Sequence, residues 1–319
     1  MSEKNKSFWF RKKGELKQAE SGVDGSGYWD KDSVNKRNYI YRNKKKALEY
    51  YDNELYDLAV ECFRELAERG DSEVQCHLGE CYYFGKGVNQ DYYEAVKWFH
   101  RSGNADAQCF LGICYYEGKG VCQSYVRAVE WFHKSAERRN ADAQYRLGIC
   151  YYEGKGVCRN YVKAVEWFQK SVQRGNSDAQ YRLGICYYEG KGVCQSYSIA
   201  VEWFRKSAEQ GNSAAQFWLG DCYYEGKGVN QDYTKAVEWY RKSAEQGDSG
   251  AQFTLGDCYM KGKGVEQNQS KAVQWYLKSA EQGNANAQFN LGYCYMKGIG
   301  VEQNLNKAVE WHKKMSRKK

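Results

Sequence analysis

The sequence predicts an all-α protein, a right-handed α/α superhelical solenoid built from tandem helix–loop–helix repeats. Three observations lead to this fold class. Similar residues recur every 36 positions, residues that begin and end helices stand at fixed places in each unit, and apolar residues follow helical spacing. The composition agrees, because 319 residues without proline but with 29 tyrosines and 10 tryptophans are typical of one small unit copied many times.

A glutamine, usually preceded by alanine, marks the same position in each repeat. From Gln108 onward this glutamine recurs every 36 residues, and Gln75 marks an earlier copy 33 residues before Gln108. The series is Gln108, Gln144, Gln180, Gln216, Gln252 and Gln288. We therefore divide the chain into a basic N-terminal tail at 1–43, expected to be disordered, a repeat solenoid at 44–312 and a basic C-terminal tail at 313–319. The solenoid holds an atypical first repeat at 44–70 and seven loop-bearing repeats at 71–312.

The sequence of each unit predicts two helices. In one copy the first helix is predicted at 141–153 and the second begins after Asn160. Asn, Asp or Ser stands before both predicted helices of each of the seven loop-bearing units, where its side-chain oxygen stabilises the helix end by about 1 kcal/mol. Ala143 and Leu147 lie on one helical face. Gly148, inside the same helix, costs about 1 kcal/mol relative to Ala, so we expect the partner helix to approach closely there.

The stretch LGICYYEGKGVC occurs three times, and seven copies of the unit carry two glycines at this place. A phosphate-binding P-loop needs GxxxxGK[ST] between a strand and a helix, whereas this loop joins two helices. Because glycine enters positive φ without strain, we interpret the Gly-Lys-Gly segment as a hinge rather than a phosphate site.

The pattern AxAQxxLGxCYYEGKGV, followed by AVEWFxKSAEQGN, resembles the Sel1-like repeat, a relative of the tetratricopeptide repeat with a longer loop. The resemblance covers about residues 59–312 in eight tandem copies. It implies a non-enzymatic scaffold or adaptor that binds other proteins or peptide segments and needs no cofactor. One departure is that family members often have proline after the loop valine, where this chain has Asn, Cys or Glu.

Ten of the thirteen cysteines fall into two groups. Seven lie three residues after the core leucine of each first helix and are predicted to be small buried side chains. Cys122, Cys158 and Cys194 lie in loops, where free thiols or a disulfide within each unit are the alternatives. Because no secretory signal is visible, we expect a cytoplasmic protein with reduced cysteines. No CxxC occurs and the four histidines are scattered, so no metal site is predicted.

No catalytic constellation stands out. Glu117, Glu153, Glu189 and Glu225 recur at one slot without a partner acid or nucleophile, and they are predicted to form a solvated rim. Some cysteine-rich relatives imply a second hypothesis, a β-lactam-processing enzyme, which oxidised cysteine pairs would support. A third is a membrane-surface regulator that uses the aromatic and basic segment KSFWFRKKGELK, whose simpler interpretation is a tail.

The net charge of +8 is carried by the ends of the chain. Residues 1–46 have 13 Lys/Arg and 6 Asp/Glu, and 313–319 add five positive charges, so the body between them is mildly acidic. This distribution disfavours nucleic acid as a partner. We expect a monomer that acts without a membrane.

The resemblance places the first helices on the concave face. The variable positions of these helices carry tyrosine and isoleucine in the earlier repeats and aspartate in the later ones. This order predicts a ligand with apolar anchors and a basic end. The alternative is that these side chains only pack between neighbouring first helices. The predicted partner-binding residues are Ile113, Tyr116, Tyr145, Ile149, Tyr152, Tyr181, Ile185, Tyr188, Asp221, Tyr224 and Asp257.

Overall fold

The computed structural model describes residues 31–316, with side chains from residue 42 to residue 315. Within this range the chain forms sixteen α-helices and no β-strand, which confirms the predicted all-α fold of tandem helical repeats. The helices are α1 (Lys31–Asp52), α2 (Tyr56–Glu68), α3 (Ser72–Phe84), α4 (Tyr92–Ser102), α5 (Ala105–Glu117), α6 (Tyr125–Glu137), α7 (Ala141–Glu153), α8 (Tyr161–Val172), α9 (Ser177–Glu189), α10 (Tyr197–Glu209), α11 (Ser213–Glu225), α12 (Tyr233–Glu245), α13 (Ser249–Lys261), α14 (Gln269–Glu281), α15 (Ala285–Lys297) and α16 (Leu305–Ser316).

The two terminal helices cross the domain boundaries drawn from the sequence. Helix α1 begins at Lys31, within the segment assigned to the N-terminal tail, and α16 continues to Ser316. The division into tails and solenoid therefore stays a prediction. The segment KSFWFRKKGELK and the last three residues of the basic C-terminus lie outside the described residues.

The predicted helix N-caps are confirmed. In α7, for example, Oδ1 of Asn140 accepts a 2.8 Å hydrogen bond from the backbone N–H of Ala143. The same arrangement holds at all fourteen predicted positions, which are Asp71, Asp91, Asn104, Ser124, Asn140, Asn160, Asn176, Ser196, Asn212, Asp232, Asp248, Asn268, Asn284 and Asn304. These caps satisfy amide groups that the first turn leaves unpaired, which is why the helix starts follow the sequence pattern closely.

The glycine inside each first helix is explained by the partner helix. A Cβ added to Gly148 would lie 2.5 Å from Cε1 of Phe168, a fully buried ring on α8. The two helices can pack at this distance only because the position has no side chain. The equivalent pairs are Gly79–Phe99, Gly112–Phe132, Gly184–Phe204, Gly220–Tyr240 and Gly256–Tyr276.

The Gly-Lys-Gly loops form the predicted tight connections between helices, in which the glycines have positive φ. Gly154 ends α7 in the left-handed conformation at φ 75°, and Gly156 follows at φ 73°. A Cβ on Gly156 would collide with the backbone carbonyl of Tyr125, the first residue of α6 in the preceding repeat. The loop of one unit thus rests on the second helix of the unit before it.

In six units, those with second helices α4 to α14, a buried serine ties the second helix to the first helix of the same unit. The hydroxyl of Ser171 donates a 2.7 Å hydrogen bond to the carbonyl of Ala141, the first residue of α7. Between units, the side-chain amide of Asn176 donates to Oδ1 of Asp142 at 2.9 Å. Helices pack against their neighbours in the chain, and α5 also contacts α3 and α7. The unit therefore stacks on its neighbours alone, as in a solenoid.

Candidate binding surface on the first helices

The predicted partner-binding residues all lie on first helices, from α5 to α13. Their burial differs. Ile113 and Ile185 are only 9% and 6% exposed and belong to the hydrophobic core, whereas the other predicted residues are half-buried. We call the surface that these side chains share the first-helix face.

A small cavity opens between α5, α7 and α9 on the first-helix face. Its volume is about 120 Å³. Three predicted residues meet there, and three further side chains complete the wall. The lining residues are Tyr116, Phe132, Tyr145, Arg146, Ile149 and Arg182.

The tyrosine hydroxyls at the rim of this face are engaged by the next repeat. The hydroxyl of Tyr116 donates to Oε2 of Glu153 at 3.2 Å and accepts from Nζ of Lys155 at 2.9 Å. Glu153 and Lys155 also form an ion pair of 2.9 Å. Hydrogen bonds to Tyr116 and Glu153 raise the pKa of Lys155. The lysine of the Gly-Lys-Gly hinge therefore joins two repeats.

This arrangement recurs along the chain. Tyr83 contacts Glu117 and Lys119 in the same way, and Tyr152 contacts Glu189 and Lys191. The four glutamates are exposed, as predicted for a solvated rim, but each is paired with the lysine of its own loop. The pairing was not predicted, although the joint recurrence of one tyrosine with a later Glu-Gly-Lys is visible in the sequence.

The two aspartates predicted to face a basic ligand contact the protein's own tyrosines. Oδ1 of Asp221 accepts a 2.7 Å hydrogen bond from the hydroxyl of Tyr240, and Oδ1 of Asp257 accepts one of 2.6 Å from Tyr276. Burial raises the pKa of Asp221 to about 6. Asp257 also pairs with Lys261 at 2.9 Å. One oxygen of Asp221 and both oxygens of Asp257 are thus already used inside their own units.

In five consecutive repeats the residue at the position of these aspartates varies together with the buried ring beneath it, whereas in the first loop-bearing repeat Glu80 accompanies Phe99. Repeats with isoleucine in the slot have phenylalanine on the second helix, and the two repeats with aspartate have tyrosine there. The variation that suggested ligand specificity is therefore also coupled to internal packing. The pairs are Ile113–Phe132, Ile149–Phe168, Ile185–Phe204, Asp221–Tyr240 and Asp257–Tyr276.

On α11 the side chain of Trp218 fills part of the first-helix face. The ring of Trp218 on α11 lies 5.1 Å from that of Tyr188, edge to face, and 5.9 Å from the buried ring of Phe204. Tyr181 is half-buried beside them. This part of the predicted site is packed by the protein's own aromatic side chains.

Two arginines of the cavity were absent from the predicted site. Among the described residues, neither Arg146 nor Arg182 has a carboxylate within 4.0 Å. Nε of Arg182 is buried and lacks a hydrogen-bond partner. The guanidinium of Arg182 lies 5.7 Å from the ring of Tyr181. The signal in the sequence was YRLG, which only two of the seven loop-bearing units contain.

The cysteines separate as the sequence predicted. Cys114, Cys150 and Cys186 are buried, and burial raises the pKa of each thiol to about 12. The loop cysteines Cys122, Cys158 and Cys194 are exposed. In the part of the chain that the structure describes, no three His, Cys, Asp or Glu side chains are grouped for a metal. No helix there has the length and apolar character needed to cross a bilayer.

Hairpins that stack on their neighbours along the chain define a tandem-repeat α-solenoid. The family model of the Sel1 repeat matches almost the whole chain, and the protein belongs to this family. The matched segments are 37–52, 55–71, 72–106, 105–140, 141–176, 177–212, 213–248, 249–284 and 285–319.

The solved structures that are similar to this chain include two at more than 30% identity. One is a protective antigen present in uropathogenic Escherichia coli strains, at 36% identity and a TM-score of 0.72. The match covers 91% of this chain but 64% of the antigen, so the chain spans less than two thirds of that relative. The other is a Sel1 repeat protein from Oxalobacter formigenes, at 34% identity and a TM-score of 0.67, with 76% and 96% covered. Comparison with curated proteins gives no match.

Proposed function

We propose that this protein is a non-enzymatic, monomeric cytoplasmic adaptor that binds a segment of a partner protein along the first-helix face, on the concave side of the solenoid. Proteins of the Sel1 repeat family generally serve as interaction scaffolds. The observation that carries the proposal is the cavity at which Tyr116, Tyr145 and Ile149 meet from neighbouring repeats. Tyrosine is a good anchor because it offers a large contact area with few rotatable bonds.

The size of the cavity favours a protein partner over a small substrate. Small-molecule sites usually enclose ~300–1,000 Å³. A space of about 120 Å³ accommodates one side chain of a partner rather than a whole ligand. An extended segment advances ~3.3 Å per residue, so it would meet a new repeat about every three residues if the helices stack ~10 Å apart.

The test is a selection of displayed random peptides on the immobilised full chain, followed by binding measurements on two variants. Ile149→Arg places a charge in the cavity wall, and we expect it to abolish binding of the selected peptides. Val162→Arg is the matched control, because Val162 lies on α8 of the same repeat and is 56% exposed. Circular dichroism confirms that both variants fold. Equal binding by Ile149→Arg, or no selectable peptide, would refute the groove function.

A further inference from the structure

We infer that Arg146 and Arg182 form a recognition site for an acidic side chain, Asp or Glu, that stands beside an apolar residue in the partner segment. The inference rests on the proposed groove function and adds the chemistry of the ligand. The acid would enter the cavity between the two guanidinium groups. Its apolar neighbour would contact Ile149 and the ring of Tyr145, which line the same cavity.

The geometry brings the two positive charges to one small space. Arg146 lies on α7 and Arg182 on α9, and both side chains line the 120 Å³ cavity. Nε of Arg182 is buried without a hydrogen-bond acceptor. A buried donor left unpaired destabilises a protein by about 1–3 kcal/mol, so an acceptor supplied by a partner would recover this loss.

The neighbouring repeats show which residue types fill the position of these arginines where only packing is required. In the preceding repeat Phe110 holds this position, and its ring stacks 4.9 Å from the buried phenylalanine of α4. In the following repeat Trp218 holds it and stacks on the buried phenylalanine of α10. Two arginines thus stand in a row between two aromatic residues that satisfy the packing. Arginine brings a charge, and in Arg182 also an unpaired donor, that packing does not require.

The nearby carboxylates are already engaged elsewhere. Asp142, one turn before Arg146, accepts from Asn176, and Asp178 accepts from Asn212 at 2.7 Å. At the rim, each exposed glutamate is paired with the lysine of its own loop. Asp142 still interacts electrostatically with Arg146, and Arg182 interacts with the hydroxyl of Tyr145, but neither guanidinium has an ion-pair partner within 4.0 Å among the described residues. The planar guanidinium suits a carboxylate because it donates two parallel hydrogen bonds, which favours an acidic side chain as the occupant.

The experiment uses the full chain and a displayed library of random short peptides. We expect the selected peptides to be enriched in Asp or Glu beside an apolar residue. For one such peptide, replacing its acid by the matching amide and, separately, Arg146→Gln/Arg182→Gln in the protein should each weaken binding at least tenfold. The two changes together should weaken it little further, because they remove the same contact. Lys134→Gln/Lys170→Gln removes the same charge from α6 and α8 and should leave affinity unchanged.

A second variant separates recognition from folding. Arg146→Phe/Arg182→Trp installs the residues that the chain uses in the neighbouring repeats, so the melting temperature should stay equal or rise while acidic peptides are lost. A clear fall in melting temperature would show that the arginines serve the fold and would overturn the inference. Selected peptides without acids, bound equally by Arg146→Gln/Arg182→Gln, would overturn it while the groove function stands. No selectable peptide would overturn both.

Discussion

The hydroxyl of Tyr240 donates a 2.7 Å hydrogen bond to Oδ1 of Asp221, and this pair replaces Ile185 and Phe204 of the preceding repeat. A polar pair and an apolar pair therefore fill the same space in successive units. Each member depends on the other, since a half-buried carboxylate needs a donor and a buried hydroxyl needs an acceptor. The first-helix side chain and the second-helix ring that it contacts therefore behave as one packing unit.

The first prediction concerns this coupling. Tyr240→Phe removes the donor and should lower the free energy of unfolding by about 1–3 kcal/mol. The double variant Asp221→Ile/Tyr240→Phe rebuilds the pair of the preceding repeat and should regain most of this loss. Denaturant unfolding of the two single variants and the double variant measures the coupling. Simple additivity of the two single effects would show that the pair is not one unit.

The second prediction concerns pH. Burial raises the pKa of Asp221 to about 6, above the value of ~3.9 in an unfolded chain. Between those values the folded state binds more protons, so this group's contribution to stability falls as the pH rises through that window. Asp221→Asn does not titrate. From pH 4 to pH 7 we therefore expect its stability relative to the parent protein to improve by about 1–2 kcal/mol, after allowance for partial exposure. An unchanged difference would mean that Asp221 is not perturbed.

The third prediction compares two helical glycines. Gly148→Ala forces a methyl group into the ring of Phe168 and should destabilise the protein by ~1–3 kcal/mol despite the better helix propensity of alanine. A Cβ on Gly250 would meet Oδ1 of Asp248 at 3.3 Å and the ring of Phe217 only at 4.0 Å, so Gly250→Ala should stabilise the protein by up to ~1 kcal/mol. Thermal melts of both variants distinguish the close approach of helices from a general effect of glycine. Stabilisation by both substitutions would contradict the packing account.

The fourth prediction concerns thiol reactivity. The exposed Cys122, Cys158 and Cys194 should react with a thiol reagent in the native protein, because the reagent can reach their sulfur atoms. Cys114 and Cys150, buried and with the pKa raised to about 12, should react only on unfolding. Peptide mapping by mass spectrometry identifies the labelled sites. Loop cysteines that react only after reduction would instead support disulfides and the hypothesis of a β-lactam-processing enzyme.

Local chemistry explains why so much of the fold could be predicted. A cap such as Asn140 and a C-terminal glycine such as Gly154 act within one turn of their own helix, so spacing in the sequence determines where helices begin and end. The close approach at Gly148 was predicted because the same unfavourable residue recurs in every unit. The lining of the candidate cavity was predicted less completely. Tyr116 and Ile149 do line the cavity, but Ile185 lies in the core.

The sequence by itself determined the repeat, the helix boundaries and the set of helices that carries variable residues, because these follow from short-range spacing. Only the tertiary structure decided which charges find partners. Lys155 reaches Tyr116 in the previous unit, whereas Arg182 is left with a buried unpaired donor beside Arg146. Both outcomes depend on the distance between side chains of stacked repeats, which the packing of whole helices sets and the spacing of residues along the chain does not reveal.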